Sequence, residues 1–111
     1  MITTHVLDLA NGGPARGVFV RLETDRGGEW IAVGEGLTDE KGRLATLTGG
    51  TSLAPGRYRL TFDLAAYHRR HGLEQAFFPE ATVMFHIRDA SDHYHVPLLI
   101  SPYGYSTYRG A

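Results

Sequence analysis

The stretch Arg57-Tyr58-Arg59-Leu60-Thr61-Phe62-Asp63-Leu64 decides the fold class of this chain. Its apolar side chains occupy every second position, which is the period of a β-strand with one buried face. The tyrosine, both leucines and the phenylalanine are therefore expected to face a core, and the intervening polar residues to face away from it. We conclude that strands, and not helices, build the body of this protein.

The same strand pattern recurs on both sides of this stretch, with turn signals between the segments. Seven further strands are predicted at residues 2–9, 17–24, 30–33, 43–47, 81–88, 93–100 and 103–108. Residues 64–71 form the single helix-like segment, which Gly72 would end as a C-cap. Eight short strands, one short helix and many Gly and Pro turns predict an antiparallel β-sandwich or barrel.

Length and composition exclude several functional classes. The 111 residues (12.2 kDa) suit one domain spanning 1–111, and a net charge of −1 argues against a nucleic-acid partner held by phosphate contacts. With no cysteine there is no disulfide, thiolate metal site or cysteine nucleophile. Apolar runs such as residues 96–100 are too short for a membrane span, and residues 1–6 lack a signal-peptide pattern. We therefore expect a cytoplasmic protein without a membrane partner.

Histidines are the candidate reactive residues. His93 and His95 are two positions apart in a strand pattern, so both side chains are expected on the same face of a sheet. Pro97 follows on that face and cannot donate to a strand ladder, which predicts an edge strand there. His5 lies in the first predicted strand. His68 and His71 fall on the helix, where a solvated position explains them.

Two chemistries remain open from the residues alone. His5, His93 and His95 would complete a zinc site if the first and seventh predicted strands meet, since three histidines and a water are a known catalytic set. Alternatively, a neutral histidine takes a proton from water without any metal, while Arg43 stabilises the developing negative charge. Asp8 could orient a member of the acid–base set, or serve only as a polar residue near a strand end.

Several motifs together carry a resemblance to a known family. They are His5-Val-Leu-Asp8 with Gly13-Pro14-Ala15, Asp39-x-x-Gly42-Arg43, and residues 93–110, which end in Tyr108-Arg109-Gly110. With them the chain resembles the 5-hydroxyisourate hydrolases, the transthyretin-related enzymes of purine catabolism, over residues 3–110. Transthyretin has the same sandwich but lacks the histidine pair and the Tyr-Arg-Gly ending.

The resemblance implies an eight-stranded, antiparallel, transthyretin-like sandwich that forms a homotetramer, a dimer of dimers with active sites in the channel between dimers. It implies catalytic roles for His5, Arg43 and His95, and no metal or other cofactor. The positions that it implies for substrate contacts are His93, Tyr108, Arg109 and Gly110. Members of the family usually end Tyr-Arg-Gly-Ser, whereas this chain has Ala111.

The expected function is hydrolysis of the cyclic amide of 5-hydroxyisourate in urate degradation, which yields 2-oxo-4-hydroxy-4-carboxy-5-ureidoimidazoline. The expected mechanism is metal-free, with histidines moving protons and an arginine binding the anionic substrate. Two alternatives stand beside it: a transthyretin-type carrier that binds a small ligand without chemistry, and a zinc-dependent amidohydrolase.

Overall fold

The structure is a computed structural model that describes residues 1–111 as nine strands and one helix in two sheets. The elements in chain order are β1 (Ile2–Asp8), β2 (Gly13–Pro14), β3 (Phe19–Arg26), β4 (Glu29–Leu37), β5 (Arg43–Leu44), β6 (Gly56–Asp63), α1 (Leu64–Arg70), β7 (Glu80–Ile87), β8 (Tyr94–Ser101) and β9 (Gly104–Thr107). Sheet I has the order β2-β1-β8-β9, and β5 also pairs with β1. Sheet II has the order β4-β3-β6-β7. The two sheets form the predicted all-β sandwich.

The core between the sheets follows the predicted alternation. Tyr58, Leu60 and Phe62 of β6 are at most 3% exposed, and Val20 and Leu22 of the neighbouring β3 are fully buried. These side chains belong to one cluster of 19 buried hydrophobic residues drawn from both sheets. Burial of this apolar area is the main free-energy gain of folding.

The eight predicted strands and the helix are all present, and β2 is an addition. Its two residues lie in the segment expected to be only a turn, and two residues are too few to show an alternating pattern. The helix begins after Asp63, whose side chain accepts a hydrogen bond from the Ala66 N–H at 3.2 Å. It has seven residues, and no helix of the chain is long and apolar enough to cross a bilayer.

One pairing departs from the antiparallel prediction. Strands β1 and β8 run parallel, from Ile2 opposite Tyr94 to Asp8 opposite Ile100. Parallel neighbours need a long crossover, and here all the strands of sheet II lie between the two partners in the chain. No hairpin fixes the direction of this pair, so the local pattern of the sequence carried no signal for it.

Strand β8 is not the edge strand that Pro97 suggested. It lies between β1 and β9, and Pro97 pairs with His5 of β1. On its other side the ladder with β9 ends at Leu98, and the next bridge joins His95 to Gly110. The proline therefore occupies a gap in the pairing, where its missing N–H removes no ladder bond.

The helix has one buried histidine, contrary to the expectation of a solvated face. His68 is 5% exposed, whereas His71 is exposed. Burial lowers the pKa of His68, and the nearby Asp8 carboxylate opposes this effect. Asp8 itself accepts a hydrogen bond of 2.7 Å from the buried Tyr67 hydroxyl. Asp8 thus fastens the helix to the end of β1 and does not orient a reactive histidine.

Candidate functional site

The site is formed where β5 and β8 both pair with β1. Thr3 lies opposite His95, and His5 lies opposite Arg43 on one side and Pro97 on the other. Partners in a ladder project to the same face of a sheet. Because the even-numbered residues of β1 are buried in the core, this set projects from the opposite face of sheet I, which we call the outer face.

A cleft of about 380 Å³ opens on this face. We call it the histidine cleft, and its lining includes Thr3, Arg43, His93, His95 and Ala111. No acidic side chain lines it, and the Arg43 guanidinium contributes a positive charge. A cleft of this charge suits a small anionic molecule.

His95 is a half-buried histidine on the outer face. Its Nδ1 lies 2.7 Å from Thr3 Oγ1. Burial lowers the pKa of His95 below its usual value of 6.5, and the nearby Arg43, His5 and His93 lower it further. The ring is therefore neutral near pH 7 and able to accept a proton.

His5 is held by a backbone contact. Its Nε2 lies 2.9 Å from the Lys41 carbonyl oxygen, which can only accept, so this ring nitrogen donates the bond. Nδ1 is the remaining ring nitrogen for a second interaction. The contact fixes the His5 ring close to the turn that precedes β5.

A tight turn positions Arg43. The Asp39 carboxylate accepts hydrogen bonds from the backbone N–H groups of Arg43 at 2.9 Å and Lys41 at 2.8 Å, and these bonds lower its pKa. Gly42 has a φ of +75°, and an added Cβ would come within 2.4 Å of the Val6 carbonyl oxygen. Only glycine fits both requirements, which explains the Asp39-x-x-Gly42-Arg43 motif in physical terms.

Gly110 packs directly against His95. Its N–H donates a 2.8 Å hydrogen bond to the His95 carbonyl oxygen. A Cβ at position 110 would lie 2.7 Å from Cδ2 of the His95 ring. The absence of a side chain at this position is what lets the C-terminal segment close one side of the ring.

Tyr108 and Arg109 do not line the histidine cleft of the same chain. They line a second cleft of about 250 Å³ between β7 and β8, together with Phe85 and Tyr94. The Arg109 guanidinium lies 4.7 Å from the centre of the Tyr94 ring, within the range of a cation–π contact. Within one chain, these two residues cover the open edge of the sandwich.

The zinc alternative finds no support in the geometry. No group of three or more His, Cys, Asp or Glu side chains is arranged to hold a metal ion. His93 and His95 instead share the Thr3 hydroxyl, which lies 2.9 Å from His93 Nε2.

Thr3 is the site residue that the sequence analysis missed. It precedes His5 by two positions and so lies on the same face of β1, which was a usable signal. Its contact with both histidines depends on the parallel β1–β8 register, which the sequence pattern does not reveal.

Comparison with known proteins gives consistent results. A family model described as the HIUase/Transthyretin family matches residues 2–110. The chain is similar to the 5-hydroxyisourate hydrolase of Salmonella dublin, with 45% identity over 111 residues that cover 100% of this chain and 81% of that protein.

Two solved structures show the same fold. The Klebsiella pneumoniae 5-hydroxyisourate hydrolase has a TM-score of 0.85 at 38% identity, covering 99% of this chain and 98% of the other. Sea bream transthyretin in complex with thyroxine has a TM-score of 0.91 at 29% identity, covering 99% of this chain and 94% of the other. The backbone is thus shared by an enzyme and by a protein that binds thyroxine, so the side chains have to discriminate between them.

Proposed function

Because this chain belongs to the HIUase/Transthyretin family, we propose that its histidine cleft hydrolyses 5-hydroxyisourate to 2-oxo-4-hydroxy-4-carboxy-5-ureidoimidazoline in urate degradation. The observation that carries the proposal is the meeting of His5, Arg43 and His95 on the outer face, through the pairing of β1 with both β5 and β8. A carrier for an apolar ligand would leave these polar side chains without partners, at a cost in binding free energy.

The reaction needs a water, a base and a group that binds negative charge. One imidazole of the His5 and His95 pair removes a proton from water, and the oxygen attacks the carbonyl carbon of the cyclic amide. The carbonyl π electrons move to its oxygen and form a tetrahedral intermediate. When that intermediate collapses, the C–N bond breaks, and the leaving nitrogen receives a proton from a histidine.

In this scheme Arg43 is the group that binds negative charge. Its planar guanidinium offers several donors to a flat anionic substrate and to the oxyanion of the intermediate. The proximity of this cation to His95 also disfavours the protonated ring. Arg43 therefore supports both substrate binding and the neutral state of the base.

The oligomer is the second part of the proposal: a homotetramer built as a dimer of dimers. Strand β7 is the edge of sheet II along all eight of its residues, Glu80–Ile87, and is free to pair with a second copy. The outer face beside the histidine cleft presents the apolar Leu7 and Leu99, which are only half-buried in one chain. Two such faces placed together would exclude water from the cleft.

The tetramer also bears on the four expected substrate contacts. His93 and Gly110 already adjoin His95 within one chain. We propose that Tyr108 and Arg109 shape the channel through the neighbouring copy, because in their own chain they lie at the sandwich edge. A cytoplasmic location stays a prediction from the sequence, to be checked by cell fractionation.

The experiment generates 5-hydroxyisourate in the cuvette from urate with urate oxidase and follows its ultraviolet absorbance after this protein is added. We expect decay well above the spontaneous rate, unchanged by a chelator such as EDTA. Decay at the spontaneous rate by an intact oligomer would contradict the hydrolase and favour a carrier. Activity that EDTA removes and zinc restores would contradict the metal-free mechanism.

A further inference from the structure

Thr3 joins two histidines through a single hydroxyl group. Its Oγ1 lies 2.9 Å from His93 Nε2 and 2.7 Å from His95 Nδ1, and the residue is 7% exposed. No other protein group bonds to this hydroxyl. A threonine hydroxyl has one hydrogen and two lone pairs, so it can donate to only one of the two rings, and at least one ring nitrogen must donate to it. When the hydroxyl hydrogen is bonded to one ring, the tautomers of the two histidines are coupled.

The hydrogen bonds that link His95, Thr3 and His93 can run in either of two directions. In the first, His95 Nδ1–H donates to Thr3, and the Thr3 hydroxyl donates to His93 Nε2. In the second, both bonds are reversed, and the neutral His95 carries its proton on Nε2. The two directions give His95 opposite chemical roles, because only the first leaves a lone pair on Nε2.

The charge of Arg43 favours the first direction. Arg43 and His95 line the same cleft, and the guanidinium acts electrostatically on the His95 ring. Thr3 occupies His95 Nδ1, so Nε2 is the ring nitrogen that has no hydrogen-bond partner in the chain. A nearby positive charge favours a lone pair over an N–H at this nitrogen. The remaining titratable side chains that face His95 are His5 from β1 and His93 before β8, and neither offers an anion.

We propose that Thr3 is the positioning residue that holds His95 in its Nδ1–H tautomer, so that His95 Nε2 is the base that takes the proton from water. This inference rests on the proposed function and identifies which histidine acts as base. After the transfer, the positive ring keeps its Nδ1–H bond to Thr3 and returns the Nε2 proton to the leaving nitrogen. His5 already donates from Nε2 to the Lys41 carbonyl, which leaves it to orient and relay.

The test uses Thr3→Val, which keeps the shape and removes the hydroxyl, and Thr3→Ser, which keeps the hydroxyl. Thr61→Val is the matched control, because Thr61 lies in the middle of β6 and makes no side-chain hydrogen bond. Nitrogen-15 NMR of the imidazoles at pH 8 reads which ring nitrogen carries the proton. It needs no substrate, so its result is independent of whether the chain hydrolyses 5-hydroxyisourate.

We expect the wild type and Thr3→Ser to show His95 protonated on Nδ1, and Thr3→Val to shift it toward Nε2. In the absorbance assay, Thr3→Val should lower kcat about tenfold or more with little change in KM, and Thr3→Ser should restore most of it. A wild-type His95 protonated on Nε2 would overturn the proposal, and so would a tautomer that Thr3→Val leaves unchanged. If Thr3→Val does not fold, the wild-type and Thr3→Ser spectra still decide the matter.

Discussion

At the scale of single residues, Gly110 is as informative as the histidines. A Cβ at this position would meet Cδ2 of the His95 ring at 2.7 Å, so Gly110→Ala has to displace either the ring or the C-terminal segment. Displacements of about 1 Å at a reactive group can cost about 100-fold in rate. We predict that Gly110→Ala lowers kcat/KM by about 10- to 100-fold in the absorbance assay.

Gly50→Ala is the control for that loss, because a Cβ there has no atom within 4 Å. It should keep full activity. If Gly110→Ala and Gly50→Ala had equal kcat/KM, the contact between Gly110 and His95 would not be needed for activity.

The protonation of His95 gives a second prediction at this scale. Burial and the Arg43 charge both disfavour the protonated ring, so its pKa lies below 6.5 and the neutral base persists to a lower pH than for a free histidine. An NMR titration of the His95 ring should therefore have its midpoint below 6.5. Arg43→Gln should move the midpoint upward, while Arg16→Gln, at the helix end of the molecule, should not. If Arg43→Gln left the midpoint of the His95 titration unchanged, the electrostatic coupling between the two residues would be contradicted.

The residues of the candidate site could be predicted only in part. The spacing of His93 and His95 placed both rings on one face, but the meeting of His5, Arg43 and His95 was implied by the family resemblance. Thr3 was not predicted as a site residue, because threonine is common in β-strands and its residue type alone indicates no function. Only the register Thr3 opposite His95 gives it meaning, and register between distant strands is a property of the folded chain.

At the scale of elements, one buried contact between side chains fastens the helix to β1. The Tyr67 hydroxyl donates to the Asp8 carboxylate at 2.7 Å, and both residues are at most 5% exposed. A hydrogen bond to a charged group contributes about 1.5–3 kcal/mol. We predict that Tyr67→Phe lowers the free energy of unfolding by about that amount in urea denaturation.

The matched control is Tyr103→Phe, because Tyr103 is 75% exposed and its hydroxyl makes no hydrogen bond in the chain. It should change the free energy of unfolding very little. If Tyr67→Phe were as stable as Tyr103→Phe, the Asp8 contact would not fasten the helix.

Among the elements, local pattern was sufficient wherever a strand has one buried face. Residues 57–63 alternate strictly and lie in β6, between β3 and β7 of sheet II, whereas Leu64 is already the first residue of α1. The pattern did not reveal β2 or the parallel β1–β8 pair, because the first is too short and the second joins opposite ends of the chain. The large sequence separation between β1 and β8 also explains why Pro97 suggested an edge strand, although β8 lies inside sheet I.

At the scale of the whole molecule, the two histidines with lowered pKa make stability depend on pH. His68 and His95 bind protons less readily in the folded chain than in the unfolded one. The unfolded state therefore takes up more protons as the pH falls below 6.5, and the free energy of unfolding decreases there. Urea titrations at pH 7.5 and 5.5 should show lower stability at pH 5.5.

Replacing the buried His68 ring should make the free energy of unfolding depend less on pH. The difference between the two pH values should be smaller in His68→Gln than in the wild type, whereas His86→Gln, at an exposed position, should keep it. Identical pH dependence in all three proteins would show that burial of His68 has no part in it.

Sedimentation of the native protein is expected to give four times the chain mass of 12.2 kDa.

We propose that the outer face of sheet I, where β5 and β8 meet β1, is the active site. The most direct measurement is the rate of 5-hydroxyisourate decay with His95→Asn and Arg43→Ala, each compared with His71→Asn, an exposed position at the end of α1, and each checked for native circular dichroism. We predict losses of about 100-fold or more for the two site variants and wild-type turnover for the control. Near-normal turnover in the folded His95→Asn or Arg43→Ala protein would contradict the claim.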